Sequence, residues 1–426
     1  MKVAVHGLWH LGCVTAACLA EGGHQVTALD PDADVVRELD AGRLPLHEPG
    51  LAELVAAGRA AGRLAFRSDL AALADVDALW VTLDTPVDDD DRADPDVVRR
   101  ALDQAAAALP AGALVVVSSQ VPVGFTRDAA RAWPALRFAC VPENLRLGRA
   151  LDAFRRPERV VAGTVDASAR DDLARLFAPF TSAIEWMGVE SAEMAKHALN
   201  AFLATSVAFA NEVARVCEQV GADAREVERG LRTDPRVGPK AYVSPGAAFA
   251  GGTLARDLRY LSAFGAHHRV ATPLVEGVLA SNAAHALAHR DEVRSLVGPG
   301  AVAAVLGLAY TPGTSTLRRS SSVELCRFLQ GEGVRVRAHD PAVRALPDDL
   351  ATFVSLRPDA ADALDGADVA VVATAWPEYR ELTADVVVAH MSRACVVDPA
   401  RFLEATLGAD PRVLYRATGR PRGTDA

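Results

Sequence analysis

The pattern that most constrains this chain's fold is an alternation of short β-branched runs with longer Ala- and Leu-rich stretches. Alternation of this kind is typical of parallel α/β layers. It occurs in two blocks, separated by a section from about residue 191 to 289 that lacks strand patterns and is predicted to be helical throughout. The predicted strands are Lys2–His6, Gln25–Leu29, Ala78–Leu83, Leu114–Ser118 and Arg137–Cys140 in the first block, and Val302–Gly307, Arg335–His339, Val369–Ala373 and Ala394–Val397 in the second.

These blocks predict an α/β protein with two Rossmann-like, doubly wound parallel-sheet domains joined by a helical central domain. The expected boundaries are 1–190 for the first sheet domain, 191–295 for the central domain, 296–415 for the second sheet domain and 416–426 for a disordered tail. In the central domain, Glu193–Gly221 is predicted to be one long helix that leads into Asp223–Arg232. A long apolar helix between two sheet domains usually forms an interface, so we expect a homodimer through it.

Composition argues against several classes of function. The formal net charge of −10 disfavours a general binder of nucleic acid or of membrane surfaces. No run of 18 apolar residues is present that could span a membrane. The six cysteines stand singly without a CxxC pair, which fits buried thiols in a reduced, cytoplasmic protein better than disulfides or a metal site. The acidic run Asp88–Asp91 is expected to be a solvated loop, so no metal is predicted.

A candidate phosphate-binding turn follows the first predicted strand. Residues 7–12, Gly-Leu-Trp-His-Leu-Gly, stand where a GxGxxG turn opens a helix whose backbone N–H groups can hold a pyrophosphate. Trp9 occupies the second glycine position, so its indole must turn outward or the cofactor must shift. The same turn also fits a tight strand–helix connection that binds nothing. If it binds a dinucleotide, the residues in contact with the cofactor are Gly7, Trp9, His10, Leu11 and Gly12.

Asp30 ends the second predicted strand, 23 residues after Gly7. A carboxylate there accepts hydrogen bonds from the diol of an adenosine ribose and repels a 2′-phosphate, which favours NAD over NADP. An alternative role is that of a helix N-cap, because Asp30-Pro31-Asp32 precedes a helical stretch. The two roles can coexist.

Further segments, which lie between residues 48 and 320, strengthen the prediction of a dinucleotide enzyme. They are Glu48–Leu51, Thr85-Pro86, Ser119–Gly124, Pro142–Gly148, Lys196–Phe202, Arg236–Gly238, Phe249–Asp257, Gly307–Tyr310 and Arg318–Ser320. In content and order they resemble the UDP-glucose/GDP-mannose dehydrogenase family of nucleotide-sugar dehydrogenases. The resemblance implies that the amino-terminal domain binds NAD and that the carboxy-terminal domain binds the nucleotide of a small-molecule substrate.

The resemblance also implies roles for individual residues. Thr85 and Gln120 join the cofactor-binding residues. The implied catalytic residues are Glu143, Lys196, Asn200, Thr253 and Asp257. The implied substrate-binding residues are Glu143, Leu145, Arg146, Lys196, Asn200, Arg236, Phe249, Gly251 and Arg318.

Departures from the family pattern concern mainly one half of the family's reaction. Thr253 stands where the family has a nucleophilic cysteine, and Gln120 and Leu147 replace a threonine and a glutamate. These groups serve the step from aldehyde to acid, whereas the Lys196/Asn200 pair, which serves the step from alcohol to carbonyl, is kept. We therefore expect one two-electron oxidation or its reverse. Two alternatives stay open: a full four-electron oxidation without cysteine, with water activated by Glu143, and a non-catalytic protein that binds nucleotide sugars.

Overall fold

The computed structural model describes residues 1–86, 93–143, 145, 147–249 and 251–421. Over these residues the chain forms two compact units, the first over Met1–Leu199 and the second from Asn200 onward. The boundary falls within a long helix, α8, which spans Val189–Val220. None of the helices in the described ranges is both long and apolar enough to cross a membrane.

The first unit is built on one sheet with the strand order β3-β2-β1-β4-β5-β6-β7-β8. All neighbouring strands are parallel except β6 and β7, which pair antiparallel. The central strands are Val- and Leu-rich and buried on both faces, as expected for strands covered by helices on both sides. The strands are β1 Lys2–His6, β2 Gln25–Leu29, β3 Leu64–Arg67, β4 Ala78–Val81, β5 Leu114–Val117, β6 Arg137–Cys140, β7 Val160–Thr164 and β8 Ile184–Gly188.

Helices cover both faces of this sheet. The helices are α1 His10–Glu21, α2 Ala33–Asp40, α3 Leu51–Ala60, α4 Pro95–Ala106, α5 Phe125–Ala132, α6 Ala150–Arg155 and α7 Arg170–Phe177. One apolar core contains residues of α1, α3, α6 and α7, and a second contains residues of α4 and α5. The predicted doubly wound α/β domain is therefore confirmed.

The second unit begins with helices. The long helix α8 spans Val189–Val220 and is followed by α9, Ala224–Thr233. A π-helical turn, Gly251–Ala255, leads into α10, Arg256–His267, and α11 spans Pro273–Leu296. A small apolar core joins α8, α10 and α11.

The central section is not helical throughout, contrary to the prediction. Residues 234–249 form turns and irregular backbone between α9 and the π-helical turn. Pro235, Pro239 and Pro245 each lack a backbone N–H, and Gly238 has a φ of +87°. These residues interrupt the helical hydrogen-bond pattern.

The second sheet is parallel throughout, with the strand order β11-β10-β9-β12-β13-β14. Its strands are β9 Val302–Leu306, β10 Arg335–His339, β11 Val354–Leu356, β12 Val369–Val372, β13 Cys395–Val397 and β14 Leu414–Arg416. Its helices are α12 Ser321–Gly331, α13 Asp348–Ala351, α14 Ala360–Leu364, α15 Ala384–His390 and α16 Glu404–Leu407.

The expected disordered tail is not found over residues 416–421. Arg416 is the last residue of β14, Thr418 is buried, and the N–H of Gly419 donates a hydrogen bond to Glu218 at 2.8 Å. Backbone pairing and burial order this segment despite its polar composition.

A buried arginine joins α9 to the segment between β13 and β14. The guanidinium of Arg401, 5% exposed, donates to Asp223 at 2.6 and 2.8 Å and also contacts Glu404. The side-chain hydrogen bond from Arg401 is the main cause that lowers the pKa of Asp223. The stabilisation from this pair is therefore present at neutral pH and is lost as the pH falls through the lowered value.

Replacement Arg401→Gln is expected to lower the free energy of unfolding of this unit by about 3–5 kcal/mol, because two carboxylates lose their buried partner. The measurement is chemical denaturation at pH 7. Arg412, which pairs with Asp410 and Asp385 on the surface, supplies the matched control, and Arg412→Gln is expected to change stability little. Equal effects of the two substitutions would contradict this account.

Candidate active site

Gly7 and Gly12 shape the predicted phosphate turn between β1 and α1. Gly7 has a φ of +103°, and a Cβ added there would lie 2.8 Å from the backbone of Leu83. A Cβ on Gly12 would lie 1.8 Å from the carbonyl oxygen of Gly7. A side chain at either position would open the turn. The close strand–helix approach that a dinucleotide turn requires is therefore present.

Trp9, in the second glycine position, is turned outward. It is the N-cap of α1 with a φ of −86°, a conformation that needs no glycine, and the residue is 40% exposed. Of the two outcomes expected for this indole, the structure has the outward one. The turn therefore keeps its backbone shape despite the large side chain.

Asp30 follows β2 and contacts the turn. Its Oδ2 accepts a hydrogen bond from the N–H of Leu8 at 2.9 Å, and its Oδ1 accepts one from the N–H of Asp32 at 3.1 Å. The alternative role as a helix cap belongs instead to Asp32, whose side chain accepts from the N–H of Asp34 at the start of α2. Asp30 lies beside the turn, as its predicted contact with a ribose requires, and that contact stays a prediction.

A similar turn follows β9 of the second sheet, but protein donors already occupy the carboxylate beside it. Gly307, with a φ of +93°, follows β9 as Gly7 follows β1, and Asp340 follows β10 as Asp30 follows β2. Asp340 is only 2% exposed. Its carboxylate accepts hydrogen bonds from the N–H groups of Leu308, Ala309, Ala342 and Val343 and from the indole of Trp376. These donors take up the oxygens that a ribose diol needs, so the first turn is the better candidate for a dinucleotide.

Thr85 and Gln120 meet beyond the ends of β4 and β5. The hydroxyl of Thr85 donates to the carbonyl oxygen of Gln120 at 2.6 Å. Beside Gln120 in the chain, the buried hydroxyl of Ser119 has no hydrogen-bond partner among the described residues. A buried hydroxyl without a partner costs free energy. This edge of the sheet therefore fits a polar ligand group that supplies the missing hydrogen bond.

Lys196 lies beyond the carboxyl end of β6. Its Nζ donates to the backbone carbonyl oxygen of Glu143 at 2.6 Å and lies 3.5 Å from Oε1 of the same residue. Oε2 of Glu143 accepts from the N–H of Leu145 at 2.8 Å. The lysine side chain is 11% exposed. Three predicted site residues are thus together at the sheet edge where α/β proteins bind their ligands.

Glu193 and His197 fix the start of α8 at this edge, and the sequence analysis missed both. The carboxylate of Glu193 accepts from the N–H groups of Gly124 at 2.6 Å and Thr126 at 2.8 Å, at the start of α5. Burial raises the pKa of Glu193, although these hydrogen bonds oppose the rise. Nε2 of His197 lies 3.1 Å from the carbonyl oxygen of Val121, so that nitrogen carries the proton. Their one sequence signal is proximity to Lys196 on the same helix.

Asn200 and Asp257 meet in the second unit. The amide Nδ2 of Asn200 donates a hydrogen bond to Oδ2 of Asp257, and the two residues are 5% and 0% exposed. On α8, Asn200 lies one turn beyond Lys196, so both side chains occupy the same helix face. The structure pairs two predicted catalytic residues, and their roles stay predictions.

Thr253 lies in the π-helical turn that leads into α10. Such single π-turns occur frequently at functional sites. The side chain of Thr253 is hydrogen-bonded to the hydroxyl of Tyr310, which follows β9. Burial raises the pKa of Tyr310, and the bond to Thr253 opposes this rise. Tyr310 was not predicted as a site residue, because the chain separates it widely from Thr253.

The other predicted substrate-binding residues are more dispersed. Arg236 has a side chain that is 88% exposed and paired with Asp234 at 2.7 Å. The backbone of Phe249 exchanges two hydrogen bonds of 2.9 Å with the amide of Asn282. Gly251 opens the π-helical turn.

Two features named in the predictions, Arg146 and the acidic run Asp88–Asp91, lie outside the described residues. Arg318, by contrast, is described, and its N–H donates to the hydroxyl of Thr316 at 3.3 Å.

Among the residues that the structure describes, no group of three or more His, Cys, Asp or Glu side chains is placed to hold a metal ion. His285 and His289 lie one turn apart on α11, but their ring nitrogens bond to the carbonyl oxygen of Gly246 and to the hydroxyl of Thr418, both at 2.8 Å. These histidines therefore hold the fold together.

All six cysteines are free and buried, as predicted. Burial raises the pKa of Cys13, Cys18 and Cys326 to about 12, and it also raises the pKa of Cys140 and Cys395. A thiol acts as a nucleophile only as the thiolate. None of these five groups is therefore prepared for nucleophilic chemistry.

Comparison with known proteins agrees with this geometry. Three family models match in succession, all described as UDP-glucose/GDP-mannose dehydrogenase family: the NAD binding domain over residues 1–181, the central domain over 190–284 and the UDP binding domain over 304–405. A UDP-glucose 6-dehydrogenase from Pseudomonas aeruginosa is 34% identical over a 445-residue alignment that covers 99% of this chain and 98% of that protein. One from Rhizobium meliloti is 33% identical, with 99% and 100% covered.

Solved structures show the same architecture. A UDP-glucose dehydrogenase from the archaeon Pyrobaculum islandicum superposes with a TM-score of 0.87 at 30% identity, covering 99% of this chain and 98% of that one. The match extends over both sheets and the helices between them. The chain therefore belongs to the UDP-glucose/GDP-mannose dehydrogenase family, a family of NAD-dependent nucleotide-sugar dehydrogenases.

Proposed function

We propose that this protein carries out one NAD-dependent two-electron interconversion of an alcohol and a carbonyl group on a nucleotide-linked or phosphorylated sugar. The observation that carries the proposal is the state of its thiols. By resemblance Thr253 occupies the position of the family's cysteine, and every cysteine of the chain is buried. A threonine hydroxyl has no accessible anion near neutral pH, so it does not replace a thiolate as the nucleophile that captures an aldehyde.

The residues of the first turn fit NAD. Gly7 and Gly12 give the tight backbone, Asp30 lies beside it, and the unpartnered hydroxyl of Ser119 is available at the same sheet edge. When bound, NAD accepts a hydride from the carbon that carries the hydroxyl. The hydroxyl proton leaves to a base or to water, so one alcohol gives one carbonyl compound, one NADH and one proton.

Lys196 and Asn200 are proposed to hold the reacting oxygen. An ammonium and an amide on one helix face can donate hydrogen bonds to a developing alkoxide or carbonyl oxygen. Glu143 orients the lysine through its backbone oxygen, and Asp257 orients the amide. Thr253 and Tyr310 offer hydroxyl groups, which bind a sugar by hydrogen bonds without covalent capture.

A four-electron route to an acid is the second candidate, because the relatives quoted above are named UDP-glucose 6-dehydrogenases. Without a thiol it requires hydration of the bound aldehyde, with Glu143 as the group that activates water. The carboxylate of Glu143 is already bonded to the N–H of Leu145 and lies 3.5 Å from Lys196. This partnering favours an orienting role for Glu143 and thus the two-electron route.

The third family model, a UDP binding domain, supports a nucleotide-linked substrate. UDP-glucose, UDP-N-acetyl sugars and GDP-mannose are the compounds to assay. The six free, buried thiols are in keeping with a reducing compartment, and we infer a cytoplasmic location.

A homodimer through α8 forms part of the proposal. Phe202, Phe209, Val216 and Val220 on this helix are 50–70% exposed, and the first three recur every seven residues. Large apolar side chains in such a row leave a stripe that a second copy of the helix can cover.

The number of NADH molecules released per sugar distinguishes the two-electron from the four-electron route. Wild-type protein is expected to release one NADH per sugar turned over and to yield an aldehyde or ketone, measured by absorbance and by trapping the carbonyl. Thr253→Cys is expected to introduce acid product and more than one NADH, whereas Thr253→Ser, the matched control, keeps the ratio at one. Two NADH with a uronic acid from the wild type would overturn the proposal.

Trp9 is expected to affect the affinity of the protein for NADH. Trp9→Gly is expected to tighten NADH binding by about tenfold, or ~1.4 kcal/mol, because glycine lets the cofactor phosphates approach the N–H groups of the turn more closely. Titration followed by NADH fluorescence measures the affinity, and Trp9→Phe serves as the bulky control. Weaker binding by Trp9→Gly would show that the indole itself holds the cofactor. No saturable binding by the wild type below millimolar concentration would instead indicate a non-catalytic homologue.

A charge on the exposed apolar face of α8 tests the proposed homodimer. Phe209→Asp is expected to convert the dimer to a monomer, because it places a charge within the apolar stripe; light scattering measures the mass. Val388→Asp, at a 39% exposed position on α15, is the matched control and should leave the dimer intact. A monomeric wild type would refute the interface.

A further inference from the structure

Glu48 is the one buried acidic side chain of the 41–50 segment, and it joins three parts of the first unit. It is 3% exposed and lies in the connection between α2 and α3. Its carboxylate has hydrogen-bonded contacts with the side chain of His10 and with the backbone of Gly148 and Ala150. None of the roles assigned above uses Glu48.

The first contact reaches the turn of residues 7–12 between β1 and α1, here called the cofactor turn. Nε2 of His10 lies 2.8 Å from Oε2 of Glu48, and His10 is 9% exposed. His10 is the first residue of α1, directly after Trp9. A shift of the turn on binding a pyrophosphate therefore acts on this contact.

The other contacts reach the loop that holds the lysine. Oε2 of Glu48 accepts from the N–H of Gly148 at 2.9 Å, and Oε1 accepts from the N–H of Ala150, the first residue of α6, at 2.8 Å. The same loop begins at Glu143, whose carbonyl oxygen accepts from Lys196. One carboxylate thus fixes the far end of the loop whose near end positions the lysine.

When one hydrogen-bonding partner of such a buried carboxylate moves, the carboxylate and its other partners are expected to move with it. Burial raises the pKa of Glu48, but the hydrogen bonds from His10, Ala150 and Gly148 outweigh burial and lower the pKa. The group is therefore an ionised acceptor at neutral pH. Leaving any of these buried donors unpaired is costly, so movement of one partner moves the others.

We propose that Glu48 is a positioning residue that couples occupation of the cofactor turn to the backbone at Gly148 and Ala150 and, through the chain that joins them to Glu143, to Lys196. The inference rests on the proposed function only in requiring that the first turn bind NADH. A cofactor-loaded turn would then hold the loop, and with it the lysine, in one arrangement.

Hydrogen–deuterium exchange of the peptide that covers 142–150, with and without saturating NADH, tests the coupling. In the wild-type protein NADH is expected to slow this exchange by at least about fivefold, the lower end of ordinary coupling between sites. Glu48→Gln keeps the size of the side chain, but its amide cannot accept from all three donors and so breaks the link between the turn and the loop. This variant is expected to bind NADH without the slowing.

Glu21→Gln is the matched control. Glu21 on α1 pairs with Arg155 on α6 at 2.7 Å on the surface, so this variant removes a different carboxylate between the same two helices. It should keep the full NADH response. If Glu48→Gln does not fold, Glu48→Asp serves in its place, because its carboxylate is one methylene shorter and cannot reach all three donors.

Retention of the NADH response in a folded Glu48→Gln protein would overturn the coupling, because direct contact between cofactor and loop would then explain it. A wild-type protein that binds NADH with no change in exchange would also overturn it. A wild-type protein that does not bind NADH at all refutes the proposed function itself, and fluorescence titration distinguishes that outcome from the other two.

Discussion

The hydrogen bond from Lys196 to the backbone carbonyl oxygen of Glu143 is the interaction on which the arrangement of the candidate site depends. A charge-assisted bond to a backbone oxygen fixes the ammonium to the course of the loop rather than to one side-chain rotamer. Glu193 supports it by fixing α8 to the start of α5. The lysine is thereby held at the edge of the sheet that also carries the cofactor turn.

The proposed function rests on Thr253, which by resemblance stands where the family has a nucleophilic cysteine. The paired Asn200 and Asp257 are buried as a structural unit, whereas Thr253 makes its hydrogen bond to another hydroxyl, that of Tyr310. Hydrogen-bonding groups are sufficient for the exchange of a hydride between an alcohol and NAD, but covalent capture requires a nucleophile. The proposed loss of the second oxidation follows from this difference.

Sequence patterns predicted the fold class and the central strands of both sheets, because β-branched runs buried on both faces have a strong local signal. The missed strands β3, β7, β8, β11 and β14 lie toward the edges of the two sheets. At the candidate site, the family resemblance pointed to Lys196 and Asn200, and their roles stay predictions. Sequence patterns assigned no role to Glu48, Glu193 or Tyr310, because the partners of each lie far away in the chain. The outward turn of Trp9 depends on backbone geometry, which spacing alone does not give.

The most direct test of the central claim is a crystal structure of the protein with NADH and the nucleotide sugar that it turns over. The account predicts that Nζ of Lys196 lies within hydrogen-bonding distance, about 3 Å, of the reacting sugar oxygen while it still donates to the carbonyl oxygen of Glu143. A sugar bound with its reacting carbon away from both Lys196 and the nicotinamide would contradict the account.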